Sequence, residues 1–256
     1  MTSAMSDLAG RIVVVTGAGQ GLGRAYAHAF ADAGAIPVIA ELDENSGRAV
    51  ADELAQKKAQ ALFVRTDVSS PESVQAMVAK ADAEFGRIDV LVNNAAIFST
   101  LQMRPFEEIP LEEWARVLNV NITGSFLCAR AVLPVMRRAN WGRIINISSA
   151  TVSMGRPNYL HYVTSKAAVI GMARSMAREV GKYGINVNTV LPGATVTEVP
   201  RATVTEAQRQ AIVGLQCIPR IEAMDDLIGP VLFLASDASR FVTGQSLTVD
   251  GGVTHL

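Results

Sequence analysis

The chain has 256 residues, 49% of them apolar, with 23 basic and 24 acidic side chains, a formal net charge of −1 and a pI near 6.3. That is enough apolar content for a sizeable core, and the balance of charge lacks the concentrated basic face that a nucleic acid or a membrane surface needs. A small neutral or anionic metabolite is the better-fitting partner. Cys128 and Cys217 lie too far apart for a CxxC or a metal pair, so no metal site is expected. The first residues lack a charged region followed by an apolar stretch, and no uninterrupted apolar run reaches the roughly 18 residues of a membrane span. A soluble protein of the reducing cytoplasm is the expectation.

Short β-branched runs alternate with longer periodic ones from Arg11 to Asn94, the pattern of βαβ units on a parallel sheet. Ile12 to Thr16 reads as a buried strand, Leu22 to Ala33 as a helix, Ile36 to Glu41 as a strand and Asn45 to Lys57 as a helix. Ala61 to Thr66 is a third strand, Pro71 opens a helix running to Phe85, and Ile88 to Val92 is a fourth strand. Two long helical patterns follow, Leu111 to Arg138 and about Asn158 to Lys182, on either side of the strand Arg143 to Ser148. After the strand Ile185 to Val190, residues from Ala194 to about Ile221 show no clear period and read as a flap over the site; a helix, Asp225 to Ala235, and a strand, Ser246 to Asp250, close the chain. The prediction is one α/β domain spanning residues 1–256: a doubly wound, Rossmann-like parallel sheet with helices on both faces.

Gly17, Gly19, Gly21 and Gly23 fall between a strand and a helix, where glycine lets the backbone turn tightly and approach a pyrophosphate at the helix N-terminus. The spacing differs from Gly-x-Gly-x-x-Gly, and such a turn can also be purely structural. Glu41, at the end of the second strand, is placed to accept from both adenosine ribose hydroxyls and to repel a 2′-phosphate. Gln20, not Arg or Lys, stands where that phosphate would be bound, so NAD is favoured over NADP. Asp67, followed by Val68 at the end of the third strand, either meets the adenine or caps a helix; both readings stay open.

Ser149, Tyr162 and Lys166 carry the chemistry. Tyr162 and Lys166 are four apart in a helical stretch and share a face. A phenol is a poor base at neutral pH, and a nearby ammonium favours its ionised form. Tyr162 could then exchange a proton with an alcohol or carbonyl oxygen while Ser149, just past a strand's carboxyl end, hydrogen-bonds that oxygen. Singly, these residues read as a surface helix pair and a strand-end cap; together, after a dinucleotide loop, they read as a catalytic set. His161 neighbours the tyrosine but faces elsewhere on a helix.

With Gly17 to Gly23, Asn93-Asn94-Ala95-Ala96, Asn121, Ser149 and Tyr162-x-x-x-Lys166 in order, the chain resembles the short-chain dehydrogenase/reductase family from about Leu8 to Gly252. Ala96 and Thr195 depart from that family's usual glycine and aliphatic residue. The resemblance implies that Asn121 is a fourth catalytic residue, holding a water against Lys166. It implies that Asn94 and Ala95 line the adenosine ribose, that the Leu22 amide meets the pyrophosphate, and that Thr195 and Thr197, with Gly193, hold the nicotinamide side. Asn93 is expected to tie strands together. Tyr162 and Lys166 would touch the cofactor as well. A homotetramer is implied, and the runs at Trp141 to Asn146, His161-Tyr162 and Ile218 to Arg220 are similar to those of bacterial NAD-dependent dehydrogenases of aryl or cyclic secondary alcohols. The expected reaction is hydride transfer between NAD(H) and a hydrophobic secondary alcohol or ketone; a ketoacyl-type reductase using NADPH, or an NAD-sensing protein without turnover, are the alternatives.

Overall fold

The structure, a computed structural model, describes residues 7–200 and 205–255. The part of the flap at 201–204 and the first six residues of the N-terminus lie outside the described residues.

Among the described residues, seven parallel strands run β1 Ile12–Thr16, β2 Ile36–Glu41, β3 Leu62–Arg65, β4 Val90–Asn93, β5 Gly142–Ile147, β6 Ile185–Pro192 and β7 Ser246–Val249. Their order in the sheet is β3-β2-β1-β4-β5-β6-β7. The chain therefore builds outward from β1 in one direction, returns, and builds outward from β4 in the other. Between β1 and β4 the strand order reverses, and the carboxyl ends of the strands open a crevice there.

Along β1 the side chains alternate between two cores. Ile12 and Val14 join Val38, Met77, Leu127, Val132, Ala173 and Val187 on one face, whereas Val13 and Val15 join Tyr26, Phe30, Leu54, Leu227, Val231 and Leu234 on the other. A strand covered on both faces must be apolar at every position, which explains the unbroken IVVV run. Burying each such side chain contributes about 1.5–3 kcal/mol. One face is covered by α3 Pro71–Phe85, α5 Gly124–Ala139 and α7 Leu160–Val180, the other by α1 Gly21–Asp32, α2 Glu44–Gln56 and α9 Asp225–Ala235.

The first long helical pattern is one continuous helix, but α4 Leu111–Leu118 meets α5 through a π-helical turn, Asn119–Thr123, that carries Asn121. By length and hydropathy Leu111–Ala139 could span a bilayer; here Leu127, Val132 and Met136 pack into the core. The second long helix starts at Leu160, not Asn158, because Asn158 takes a left-handed conformation, φ 60°. A short helix, α6 Thr151–Met154, follows β5.

The stretch expected to be irregular contains a helix, α8 Glu206–Leu215. Thr205 and Gln208 form a capping box, with the Thr205 hydroxyl accepting from the Gln208 N–H and the Gln208 side chain accepting from the Thr205 N–H. The Thr-x-x-Gln signature was readable, but the polar residues after it masked the helical period.

Asp89 anchors the start of the central strands. It is 1% exposed, accepts from the Ile12 N–H at 2.8 Å and pairs with Arg11 and Arg87. Asp89→Ala leaves a buried N–H unsatisfied and two guanidinium groups unpaired, and is expected to cost about 2–3 kcal/mol, measured as a lowered denaturant midpoint at unchanged slope.

Candidate active site

The crevice holds a cavity of about 890 Å³ that runs from the glycine turn and Glu41, past Asn94 and Ala95, to Ser149, Tyr162 and Lys166. Loops that follow strands supply much of its lining, joined by residues of α7 and α8.

After β1, Gly17 turns with φ 63° and Gly21 with φ 56°. A Cβ on Gly17 would lie 2.9 Å from Ala95 Cα, and one on Gly23 would lie 2.0 Å from the Gly17 carbonyl oxygen. Only glycine lets the turn close onto the loop after β4. Thr16 locks the two together: its hydroxyl accepts from the N–H groups of Asn94 and Ala95 at 3.0 and 3.1 Å, while the Asn94 amide donates to the carbonyls of Thr16 and Gly17. Asn94 thus shapes the turn through its side chain, and Thr16, whose hydroxyl no spacing singles out, joins the two loops.

The turn fits the pyrophosphate of a dinucleotide. The N-cap of α1, Gln20, makes no side-chain cap bond, and the Gly21 N–H is met instead by a carboxylate oxygen of Glu198 at 2.9 Å, with Arg24 at 3.7 Å from the same oxygen. An acidic oxygen thus already stands on the helix N-terminus, where the exposed N–H groups favour negative charge. Gln20, Gly21 and Leu22 line the cavity. The Glu41 carboxylate accepts from the amides of Gly19, Leu42 and Asp43; no Arg or Lys side chain among the described residues bonds to it.

Asp67 and Val68 also line the cavity. The cap of α3 is Ser70, which accepts from Ser73; Asp67 accepts from the N–H and hydroxyl of Ser69. The helix-cap reading of Asp67 is therefore corrected: its carboxylate orders the turn beside the crevice. Asn93 donates to Ser125 O and to Asn146 Oδ1, so it ties β4 to β5 and to α5 as expected.

Ser149 follows β5 and is 7% exposed; its hydroxyl oxygen accepts from the N–H and hydroxyl of Thr151 at 3.2 and 2.9 Å. Nearly two turns into α7, Lys166 is 4% exposed and its ammonium donates to the Ile147 carbonyl at 2.7 Å, while Ser148 Oγ donates to the Lys166 carbonyl. These bonds dock α7 on the end of β5. Burial pushes the Lys166 amine down to about 8. The ammonium lies 5.7 Å from the centre of the Tyr162 ring, so helix geometry and docking together place the pair.

Asn121 is 1% exposed, and its amide is engaged: Oδ1 accepts from the Ile97 N–H, and Nδ2 donates to Ile97 O and to Ser165 Oγ. Ser165 in turn donates to the Tyr162 carbonyl. Through its side chain Asn121 clamps the loop after β4 to α7, a positioning contact reached by way of the π-helical turn.

His161 is fully buried and points away from the cavity. Its Nδ1 accepts from the Tyr162 N–H at 3.0 Å, which places the proton on Nε2, 3.2 Å from Glu113. The Tyr159 ring stacks on Tyr162 at 4.7 Å and its hydroxyl donates to the Phe98 carbonyl at 2.6 Å. Gly193 and Thr195 line the cavity after β6, with Thr195 donating to the buried Glu222 at 2.9 Å; the Thr197 hydroxyl accepts from Val199. Gln208, Ala211 and Ile212 of α8 close the outer wall.

A phenol, a hydroxyl and an ammonium gather at the far end of the crevice from the glycine turn, a set that fits an oxidoreductase site. A family profile described as Enoyl-(Acyl carrier protein) reductase matches residues 17–254. The chain is 38% identical over 256 residues to a probable galactose dehydrogenase of Rhizobium meliloti, covering 98% of each chain. It is 39% identical over 246 residues to cis-4-hydroxycyclohexanecarboxylate dehydrogenase of Sinomonas cyclohexanicum, covering 96% of this chain and 97% of that one. Its fold superposes on a 7α-hydroxysteroid dehydrogenase solved with NADH and 7-oxo glycochenodeoxycholic acid, with a TM-score of 0.92 and 32% identity over 98% of this chain and 97% of the other. The chain belongs to the short-chain dehydrogenase/reductase family and is an oxidoreductase of CH–OH groups.

If His161 and Glu113 hold Tyr162 in place, His161→Phe lowers kcat about ten- to a hundredfold with KM for the nucleotide unchanged, and Glu113→Gln, which still accepts from Nε2, stays within about threefold of wild type; steady-state kinetics read both.

Proposed function

We infer that the protein interconverts an apolar cyclic secondary alcohol and its ketone using NAD(H). The observation that carries the reading is the convergence of Ser149, Tyr162 and Lys166 on one cavity whose opposite end is the glycine turn and Glu41. When bound, NAD(H) accepts or supplies the hydride. The protein's part is to hold the alcohol oxygen and manage its proton. Tyr162 takes the hydroxyl proton in the oxidative direction and returns it in the reductive one; the Lys166 ammonium favours the ionised phenol, and Ser149 donates to the oxygen as charge develops there. Asn121, acting through Ser165, keeps the tyrosine's turn of α7 in register.

NAD is preferred to NADP because a carboxylate ends β2, where a 2′-phosphate would meet like charge. This disfavours the ketoacyl-type, NADPH-using alternative. A nucleotide sensor without turnover has no use for the buried Lys166 beside Tyr162. The substrate class follows from the outer cavity, where Ile97, Phe98, Met103, Met154, Tyr159 and Ile212 present an apolar surface. The names of the compared proteins, a hydroxycyclohexanecarboxylate and a hydroxysteroid dehydrogenase among them, support a ring-bearing alcohol. A homotetramer fits the sheet-edge strand β7, with Leu247 37% exposed and the nearby Phe241 wholly exposed.

Tyr162→Phe removes the proton acceptor and leaves the cavity wall in place. Turnover of a cyclic alcohol is expected to fall about a thousandfold, with NADH affinity by fluorescence titration within about twofold of wild type; near-full turnover in this variant overturns the assignment.

A further inference from the structure

Behind the end of β6 lies a carboxyl that the reaction as described does not use. Glu222 is 5% exposed. Its Oε1 accepts from the Thr195 hydroxyl at 2.9 Å, and its main-chain carbonyl accepts from Val196 N–H at 2.9 Å, so side chain and backbone both grip the loop after Pro192. Its Oε2 is buried without a hydrogen-bond partner among the described residues, and a Cβ on Gly193 would lie 2.3 Å from it. The departure of Thr195 from the aliphatic residue usual in the family thus has a partner: the hydroxyl serves Glu222.

This loop sits at the reacting end of the crevice. The Pro192 carbonyl accepts from Ala150 N–H at 2.8 Å, beside Ser149, and Gly193 and Thr195 line the same cavity as Tyr162. A dinucleotide laid from the glycine turn toward Ser149 must bring its nicotinamide end here. The charged and titratable groups facing Glu222 are Asp226, Asp250, Tyr26 and Arg220. Arg220 is bonded twice to Asp226 at 2.6 Å, and Asp250 accepts from the N–H groups of Gly252, Val253 and Thr254. The Tyr26 hydroxyl is buried without a partner among the described residues. Among the described residues, no cation is thus bonded to Glu222 to hold it ionised.

We propose that Glu222 is a positioning residue for the nicotinamide end of the site and that its charge sets the relative affinity for the two redox forms of the cofactor, the carboxylate favouring oxidised NAD. The inference rests on the NAD(H) reading above. Burial, opposed by the Thr195 hydrogen bond and the nearby Gly193 N–H and reinforced by Asp226 and Asp250, pushes the Glu222 carboxyl up to about 7, so the group changes charge near neutrality. The oxidised nicotinamide is a cation and the reduced ring is neutral, so a buried negative charge behind the loop discriminates between them, and by linkage NAD binding draws the proton off Glu222.

The test is to titrate the full-length protein with NADH by fluorescence and with NAD by calorimetry from about pH 6 to 9. In the wild type the ratio of NAD to NADH affinity is expected to rise roughly three- to tenfold between about pH 6 and 8. In Glu222→Gln that rise is lost, leaving only the change above about pH 8 as Lys166 deprotonates. Thr195→Val removes a hydrogen bond that favours the carboxylate, and the rise moves to higher pH. Thermal melting of the free protein gives a readout without nucleotide. A carboxyl whose folded value is raised contributes stability that is full below its ordinary value of 4.5 and is lost as pH rises through about 7, so wild type should lose stability relative to Glu222→Gln across that interval. A flat affinity ratio in the wild type, or an unchanged rise in Glu222→Gln, overturns the inference. If that variant does not fold, an unshifted rise in Thr195→Val overturns it. Failure of the wild type to bind either nucleotide instead overturns the cofactor reading, and the inference with it.

Discussion

The site depends on one buried contact, the Lys166 ammonium against the carbonyl of Ile147. Taking an ammonium out of water is unfavourable, and a single carbonyl offsets only part of that cost, which is why the amine is held down to about 8. The contact fixes α7 at the carboxyl end of β5. Once the helix is docked, its 3.6-residue period puts Tyr162 one turn earlier, on the same face. Ser149, two residues beyond Ile147 on the same chain segment, cannot then be far away. A strand end and a helix turn thus share one anchor, and the geometry of the proposed catalytic set follows from it.

The second constraint is the reversal of strand order between β1 and β4. It leaves the loops after these two strands without a crossover above them, and Thr16 joins those loops through a single hydroxyl. Glycine at positions 17 and 23 is required by backbone approach on both sides. The cofactor end and the reacting end of the cavity are therefore built by different devices, close backbone packing at one and a buried cation at the other. The sheet, apolar on both faces, holds the two ends at a fixed separation.

Much of this was legible in the sequence because its causes are local. The IVVV run, Pro71 at a helix start, the spacing from Tyr162 to Lys166 and the acid at the end of β2 each report a short-range rule. What stayed hidden is long-range or nearly period-free. The helix α8 was obscured because its polar residues leave little apolar stripe, although Thr205 and Gln208 announce its start. Asn121 was expected to hold a water against Lys166; that its side chain also binds Ile97 and Ser165, from within a π-helical turn, is a pairing that spacing does not record. Glu222 lies 27 residues from Thr195 in sequence, and only the fold shows that the two form a pair. His161, on a different face of the helix from Tyr162, holds the tyrosine's backbone from behind.

The reaction proposed for this cavity is the oxidation of apolar cyclic secondary alcohols with NAD. The most direct measurement is the initial rate of absorbance increase at the NADH band for the wild-type protein with a panel of such alcohols, run in parallel with NAD and NADP. Turnover of at least one panel member with NAD is expected, with a kcat/KM at least about tenfold lower with NADP, from the like charge of Glu41. Reduction of neither nucleotide by any ring-bearing alcohol, or a preference for NADP, would contradict it.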